Sequence, residues 1–472
     1  MSKQREKRTP LPSAEPMKVA QMVTAECFTA EDGLPTVLWF RGSFWEYFRN
    51  RWERRDVDWM DDRLFQELED AVYMVQRGKH VVAERFAPDV MKVANVRRAL
   101  RALPEVRRDY KNIPVWLKGY GDLPSPEALI GFEDVLVPVV PGPGILIPRG
   151  PSWFDPCVLP VPYDPAAKCP TWHRCLLQWG SGSQEWITLL KRWFGYCLMN
   201  HRRYAKWLLM KGKTRAGKGT IAKVLMQLVG DEGFQGVVAE RMVSTFSLQG
   251  FETTRVMSIT EMDCTDKKVV QAVSSFIKRL VGQDPQTINI KFQAPLKNVV
   301  IPAAPMVQAN MIPHLPDIGG GVSSKMLVLP FHWSAMDPGE TMDPRLDEKL
   351  KAELTGIAAW AVEGARELEL GLGFPVLDQA AEEVEAYRMA NSPMDGFLED
   401  HFERDKDGFV ATEILWALWE RWRRENQSQV HYPRNLLRTA ILEGSSWSLT
   451  ACRPNKGPRG IRGLALRPGV VL

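Results

Sequence analysis

Gly212-Lys213-Thr214-Arg215-Ala216-Gly217-Lys218-Gly219-Thr220 decides the reading of this 472-residue chain. The stretch fits the P-loop pattern G-x-x-x-x-G-K through its lysine. Glycines let the backbone curl so that successive N–H groups converge on one phosphate, while the lysine meets the terminal phosphates and a hydroxyl holds Mg²⁺. The short apolar run Trp207 to Met210 ahead of it reads as a strand, and helical periodicity resumes at Thr220. A helix starting there points its positive N-terminal end at the anion. The pattern predicts nucleotide contacts from Gly212, Arg215, Gly217, Lys218, Gly219 and Thr220, with ATP as the nucleotide. One departure is visible. The hydroxyl expected directly after the lysine is replaced by Gly219, so Thr220, one place later, is the candidate ligand for Mg²⁺.

About 40 residues downstream, Arg255-Val-Met-Ser-Ile-Thr-Glu261-Met-Asp263 reads as an apolar strand ending in acids. A carboxylate at a strand tip polarises an attacking water or holds the metal. Glu261 is the candidate base and Asp263 the candidate on the metal side. Further strand-like runs lie at 287–292, 299–301, 305–308 and 326–331, with helical runs at 267–280 and 345–370. That alternation predicts an α/β domain over 200–372.

Working outward, residues 1–16 read as a flexible tail and 17–103 as a helical N-terminal region. The second reading rests on Trp45, Phe48, Trp52, Phe65, Leu68 and Val72, which fall near i, i+3/i+4 spacing. Residues 104–199 read as a small mixed α/β region in which short strands among Pro and Gly give way to helix from Trp172. After a connector at 374–392, residues 385–472 read as three short helices and two strands around a basic turn. From Gln427 to Leu472 the basic residues Arg434, Arg438, Arg453, Lys456, Arg459, Arg462 and Arg467 face the single acid Glu443. This order fits a winged helix, with 454–462 as the basic wing and 432–442 as the helix meeting duplex DNA.

Composition excludes several classes. Seventeen Trp and 19 Phe supply ample apolar area for cores, which rules out a disordered chain. Seven Cys in 472 residues are too few for a disulfide scaffold. No run of about 18 apolar residues exists, so no membrane partner is expected. Met1 to Arg8 is basic but no apolar core follows, and the expected compartment is a reducing cytosol, here of a bacterial host. The net charge of +4 is too small to advertise nucleic acid, so any such site must be a local patch. Cys157, Cys169, His173 and Cys175 match no zinc spacing and read as buried thiols with a neighbouring His. Asp405-Lys-Asp407-Gly408 reads as a turn.

From about Pro160 onward the chain resembles the superfamily 3 helicases of the phage and plasmid primase-helicase type. Tyr163-Asp164-Pro165-Ala166 through Trp172 is similar to the signature ahead of that family's motor, and Trp193-Phe-Gly195-Tyr196 to the helix leading into its phosphate loop. Ile277-Lys278-Arg279-Leu280-Val-Gly282-Gln-Asp284 resembles the motif that leads into a hairpin lining a central DNA channel. Gln308-Ala-Asn310-Met-Ile-Pro313 resembles its sensor, and Asp343-Pro-Arg-Leu346 to Gly364 its helical stretch after the motor strands. The resemblance implies an AAA+-like motor and an ATP-dependent DNA helicase or translocase in replication of a phage, plasmid or related mobile element. It implies Asn310 as the residue positioning water, Lys291 and Lys297 as hairpin contacts to single-stranded DNA, and a ring, hexameric in the family. Where the family carries an Arg reaching the neighbour's γ-phosphate, this chain has Lys325, a point charge without the bidentate fork. No primase domain is apparent, so a separate primase is an expected partner. The competing readings are an ATP-assembled DNA-binding replication initiator without unwinding activity and, on Gly-Lys-Gly-Thr alone, a small-molecule phosphotransferase.

Overall fold

Arg41-Gly42 and Arg49-Asn50 both have positive φ at each residue, 46° and 82°, then 48° and 60°. Two-residue turns of this hand match the twist of flanking strands and close hairpins. They fold the chain after helix α1 (Pro16–Cys27) into a meander of β1 (Val37–Phe40), β2 (Ser43–Phe48) and β3 (Arg51–Arg55). The computed structural model describes residues 10–118, 121–140, 144–244, 246–260, 262, 266–291, 294–313, 315, 321–378, 380–384, 393–426, 431–445, 447–454 and 457–470.

The expectation of a helical region over 17–103 is corrected by this meander and by a second hairpin, β4 (Val72–Arg77) and β5 (His80–Arg85). Trp45 and Phe48, three apart in one strand, point to opposite faces. Trp45 packs edge-on to Phe154 at 5.8 Å, while Phe48 is exposed beneath the guanidiniums of Arg49 and Arg55. Helix periodicity does hold in α2 (Val57–Leu68) and α3 (Val90–Ala102), which with α1 cover one face of a sheet ordered β3-β2-β1-β6, β6 being Arg107–Arg108. Val37, Phe44, Met60, Leu64, Val96 and Leu100 form that core. The expected tail also ends early. Leu11 is buried, and its N–H donates to the Val72 carbonyl at 2.7 Å.

Short strands follow: β7 (Val115–Trp116), β8 (Leu129–Gly131), β9 (Val135–Pro138), β10 (Ile147–Pro148) and β11 (Trp153–Phe154). Then come α4 (Pro170–Trp179) and α5 (Gln184–Leu198), whose aromatic faces interlock through Trp172 and Phe194, both against Trp360.

The central layer runs β12 (Trp207–Gly212), α6 (Lys218–Val229), β13 (Phe234–Val238), β14 (Val256–Thr260), α7 (Lys267–Gly282), the antiparallel pair β15 (Gln286–Ile288) and β16 (Leu296–Val299), then β17 (Ala304–Ala309), β18 (Met326–Phe331), α8 (Leu346–Ala352) and α9 (Leu354–Glu369). Its five-stranded sheet is parallel throughout, in the order β13-β14-β17-β12-β18. Strands buried on both faces read as near-continuous apolar runs, which is why β12, β14, β17 and β18 stand out in the sequence. Lys211 pairs with Ala309, and Gly212 with Phe331, so the C-terminal ends of β12, β17 and β18 share one edge. In open α/β sheets that edge is where ligands bind.

The last unit runs α10 (Pro393–His401), β19 (Phe402–Ala411), α11 (Thr412–Glu425), α12 (Arg434–Gly444), β20 (Thr450–Cys452) and β21 (Gly460–Leu466). Its sheet has the order β19-β21-β20 over a core of Phe397, Trp419, Trp422, Leu437 and Ile461. The turn read at Asp405 to Gly408 is an irregularity inside β19, where pairing to β21 slips between Asp405 and Phe409. No helix among the described residues is long and apolar enough to cross a membrane.

One buried ion pair ties these parts together. Asp155, just past β11, accepts from the Arg255 Nη2 at both carboxylate oxygens, each at 2.9 Å, and both side chains are at most 5% exposed. Arg255 also donates to the Leu198 carbonyl, and the buried Arg202 donates to the Arg255 carbonyl. Removing one partner of such a pair strands the other charge without water. Asp155→Ala is expected to cost about 3–5 kcal/mol of stability, read as a lowered urea midpoint. The double exchange Asp155→Leu with Arg255→Met should lose markedly less.

Candidate functional site at the C-terminal edge of the sheet

The glycine-rich loop joins β12 to α6. Gly212 has φ 152°, and a Cβ there would collide with the Phe331 carbonyl of β18. Gly217 caps α6 in the left-handed region at φ 101°, and a Cβ there would lie 2.6 Å from the Trp179 ring. Only glycine meets both demands at once. Arg215, between them, also sits at positive φ, 58°. The loop is braced from outside. The Ser334 hydroxyl donates to the Thr214 carbonyl at 2.8 Å, the Ala335 N–H donates to the Arg215 carbonyl at 3.2 Å, and Lys213 pairs with Asp337 at 2.7 Å. That hydrogen bond from Lys213 holds the Asp337 carboxyl below its ordinary range.

Lys218 opens α6 and folds back over the loop. Its ammonium donates to the Gly212 carbonyl, to the Lys213 carbonyl at 2.8 Å and to the Asn310 Oδ1 at 3.4 Å. Asn310 directly follows β17, the strand beside β12, so sheet order alone brings the two side chains together. Gln308, two residues earlier and on the same side of β17, donates to the Ser258 hydroxyl of β14 at 2.9 Å. The loop, Lys218, Thr220, Gln308 and Asn310 line one open cavity of about 680 Å³. Its walls supply a lysine, backbone N–H groups at a helix N-terminus and a hydroxyl, a donor set suited to an anion with an associated hard cation.

The sequence reading missed the far wall. Arg174, Gln178 and Trp179 of α4 and the segment 341–347 after β18 complete the cavity. Arg174 and Gln178 are one helical turn apart, but nothing local tells that face from any solvated one.

The other expected residues fall elsewhere. Glu261, Asp263 and Lys456 lie outside the described residues. Lys325 immediately precedes β18, at the opposite end of that strand from Phe331 and the loop. Six residues of strand separate them, about 20 Å. Within one chain Lys325 is therefore not part of the cavity. Its charged neighbour is Lys206, whose ammonium donates to the Ser324 carbonyl. Lys291 and Lys297 are both exposed, at the β15–β16 hairpin, with the Lys291 ammonium 5.8 Å from the Phe246 ring. Arg434 and Arg438 lie on α12, Arg459 precedes β21 and Arg462 lies on it, and Arg434 pairs with Glu413 at 3.5 Å. Cys157, Cys169 and Cys175 are buried, and burial pushes their thiols up to about 12, 11 and 11.

No protein-family profile and no curated protein matches the chain. Among solved structures, the A form apo structure of the NrS-1 C terminal region is 10% identical, covering 90% of this chain and 95% of that one, with a TM-score of 0.49. The apo structure of the NrS-1 C terminal region (305-718) is 11% identical, covering 96% and 100%, with a TM-score of 0.49. The likeness is remote in both sequence and superposition.

The two inner glycines of the loop should behave differently. Gly217→Ala forces a side chain into Trp179 at a backbone angle alanine rarely adopts, and should lower the melting temperature by several degrees, about 1–3 kcal/mol. Gly219→Ala meets nothing within 4 Å and should melt like the parent. Differential scanning calorimetry of both variants checks the contrast.

Proposed function

We propose that the chain is an ATP-hydrolysing motor acting on DNA, a helicase or translocase in the replication of a phage, plasmid or related mobile element. The observation that supports this most is the convergence of Lys218 and Asn310, from neighbouring parallel strands, on a cavity floored by a glycine-rich loop. In this reading Lys218 exchanges the Gly212 and Lys213 carbonyls for β- and γ-phosphate oxygens, a charge-assisted replacement for neutral acceptors. The loop N–H groups and the first turn of α6 hold the remaining phosphate charge. Thr220, with Asp263, is assigned to Mg²⁺, which when bound neutralises phosphate charge. Glu261 follows the last residue of β14 and is assigned as the base, with Asn310 orienting the water it activates.

Lys325 is assigned to the neighbouring copy's site. A cation about 20 Å down a strand from its own loop serves a phosphate only across a subunit boundary, which favours a closed ring, hexameric in this reading. Lys291 and Lys297 then face single-stranded DNA in the channel. The C-terminal unit, with Arg434, Arg438, Lys456, Arg459 and Arg462, takes duplex DNA as a winged helix would. Cations of this kind meet phosphates without reading bases, and Arg434 also pairs with Glu413.

Strand displacement on a forked duplex, with and without ATP, is the direct test. Lys218→Ala should reduce ATP hydrolysis at least about 100-fold without lowering the melting temperature, because it removes a phosphate contact and no core volume. Near-normal turnover in that variant ends the motor reading. ATP-dependent DNA binding without displacement would favour an initiator that uses ATP only to assemble.

Lys325→Ala should lower DNA-stimulated hydrolysis by roughly 10³-fold without dispersing the assembly on light scattering. Mixing Lys325→Ala with Lys218→Ala subunits should restore part of the activity, since one kind of junction then holds an intact Lys218 and an intact Lys325 from opposite partners. Parental turnover in Lys325→Ala moves the search to nearby arginines such as Arg279 or Arg345.

A further inference from the structure

The N-terminal unit concentrates positive charge that the motor reading leaves unused. Residues 90–108, from α3 through β6, hold six basic residues and one acid. Arg97, Arg98 and Arg101 occupy successive positions along one side of α3, within a single turn. Asp61 of α2 pairs with Arg97 at 2.6 Å, while Arg98 is exposed. The guanidinium of Arg101 lies 3.9 Å from the Trp39 ring centroid and 5.3 Å from that of Phe44. Its Nε is buried with no hydrogen-bond partner. Burial first, then the charge of Arg97, lowers the Arg101 pKa to about 10. The parallel pairing of β1 with β6 sets Arg107 directly opposite Trp39.

A row of cations thus runs from Arg98, across Arg101 on the Trp39 face, to Arg107 at the sheet edge. The apolar side of α3, through Val93, Val96 and Leu100, is already in the core. Holding a partly desolvated guanidinium beside two more costs free energy that an anion would relieve. A guanidinium fixed on an aromatic face keeps its planar fork oriented for two phosphate oxygens. The surroundings also select the class of partner. A protein interface is built around an apolar centre, whereas the exposed residues at this end of α3 and β6 are Arg98, Ala102, Pro104, Glu105 and Arg107, with Arg107 paired to the exposed Asp109 at 3.4 Å. A polar, strongly positive surface is the kind that meets nucleic acid.

We propose that this corner of the N-terminal unit binds the phosphate backbone of nucleic acid, a contact separate from the sheet-edge cavity, the β15–β16 hairpin and the C-terminal unit. The identity of the ligand rests on the reading of the chain as a DNA-acting protein. The site itself rests on the arginine row.

The test is fluorescence anisotropy of the full chain with a labelled single strand and its duplex, without nucleotide, from roughly 50 to 200 mM salt. Arg98→Glu reverses an exposed charge, and Arg98→Glu/Arg107→Glu reverses both ends of the row. Affinity at the lowest salt should fall at least tenfold, and the log–log salt slope should lose about 0.7 per lost contact on a single strand and about 0.9 on duplex. Melting curves like the parent's show that the variants are folded. Unchanged affinity and slope in both folded variants overturn the proposal. So does unchanged nucleic-acid binding with an altered oligomeric state on light scattering, which would make the corner a protein interface. Because no nucleotide is present, a chain that loses binding through Arg98 yet never hydrolyses ATP would keep this site and lose the motor.

Discussion

The Asp155–Arg255 pair is the constraint on which the rest of the architecture hangs. It lies at the root of β14, the strand whose far end leads to the acids at 261 and 263. Around it the residues 252–255 are gripped from several sides. Arg41 donates to the Glu252 carbonyl, the Cys157 thiol to the Thr253 carbonyl at 3.1 Å, and Arg202 to the Arg255 carbonyl. Each contact comes from a different part of the chain: the first hairpin turn, the segment after β11 and the link from α5 to β12. A doubly bonded charge pair in a dry setting tolerates little displacement, because each charge has no alternative solvent. The N-terminal unit is therefore fixed to the base of the central sheet, and the sheet edge that carries the cavity inherits that rigidity.

Much of the central layer was legible because its signals are local. A strand buried on both faces is an apolar run, and β12, β14, β17 and β18 are such runs; the loop at 212–220 is a glycine pattern between a strand and a helix. The N-terminal meander was not legible, for an equally local reason. Trp45, Phe48 and Trp52 fall on a helical period by coincidence of turn length, and the turns that break it are Arg-Gly and Arg-Asn. An arginine at positive φ gives no sequence warning. β19 escaped because most of its residues between Phe402 and Phe409 are charged, and its strand character comes from the pairing that β21 supplies.

The site divides in the same way. Gly212, Gly217, Lys218 and Thr220 are contiguous and readable as one motif. Asn310 lies 92 positions from Lys218, and its nearness follows from β17 sitting beside β12, which only sheet order reveals. Arg174 and Gln178 of α4 come from an element that precedes the loop and packs against it through Trp179. Lys325 shows the converse: its place in the chain is next to a core strand, while its place in space is at the edge remote from the cavity.

The contact between Gly217 and Trp179 has an optical side. The indole is 3% exposed, lines the cavity and meets Trp172 edge-on at 6.0 Å. An occupant of the cavity brings a new polar neighbour to that ring, so occupancy alters the emission of a chromophore the chain already carries. In a chain of 17 tryptophans the signal is a small fraction of the total, yet it comes from Trp179, which packs on the loop, and from Trp333, which also lines the cavity. The same packing that fixes the curvature of the loop makes its occupancy visible without any label.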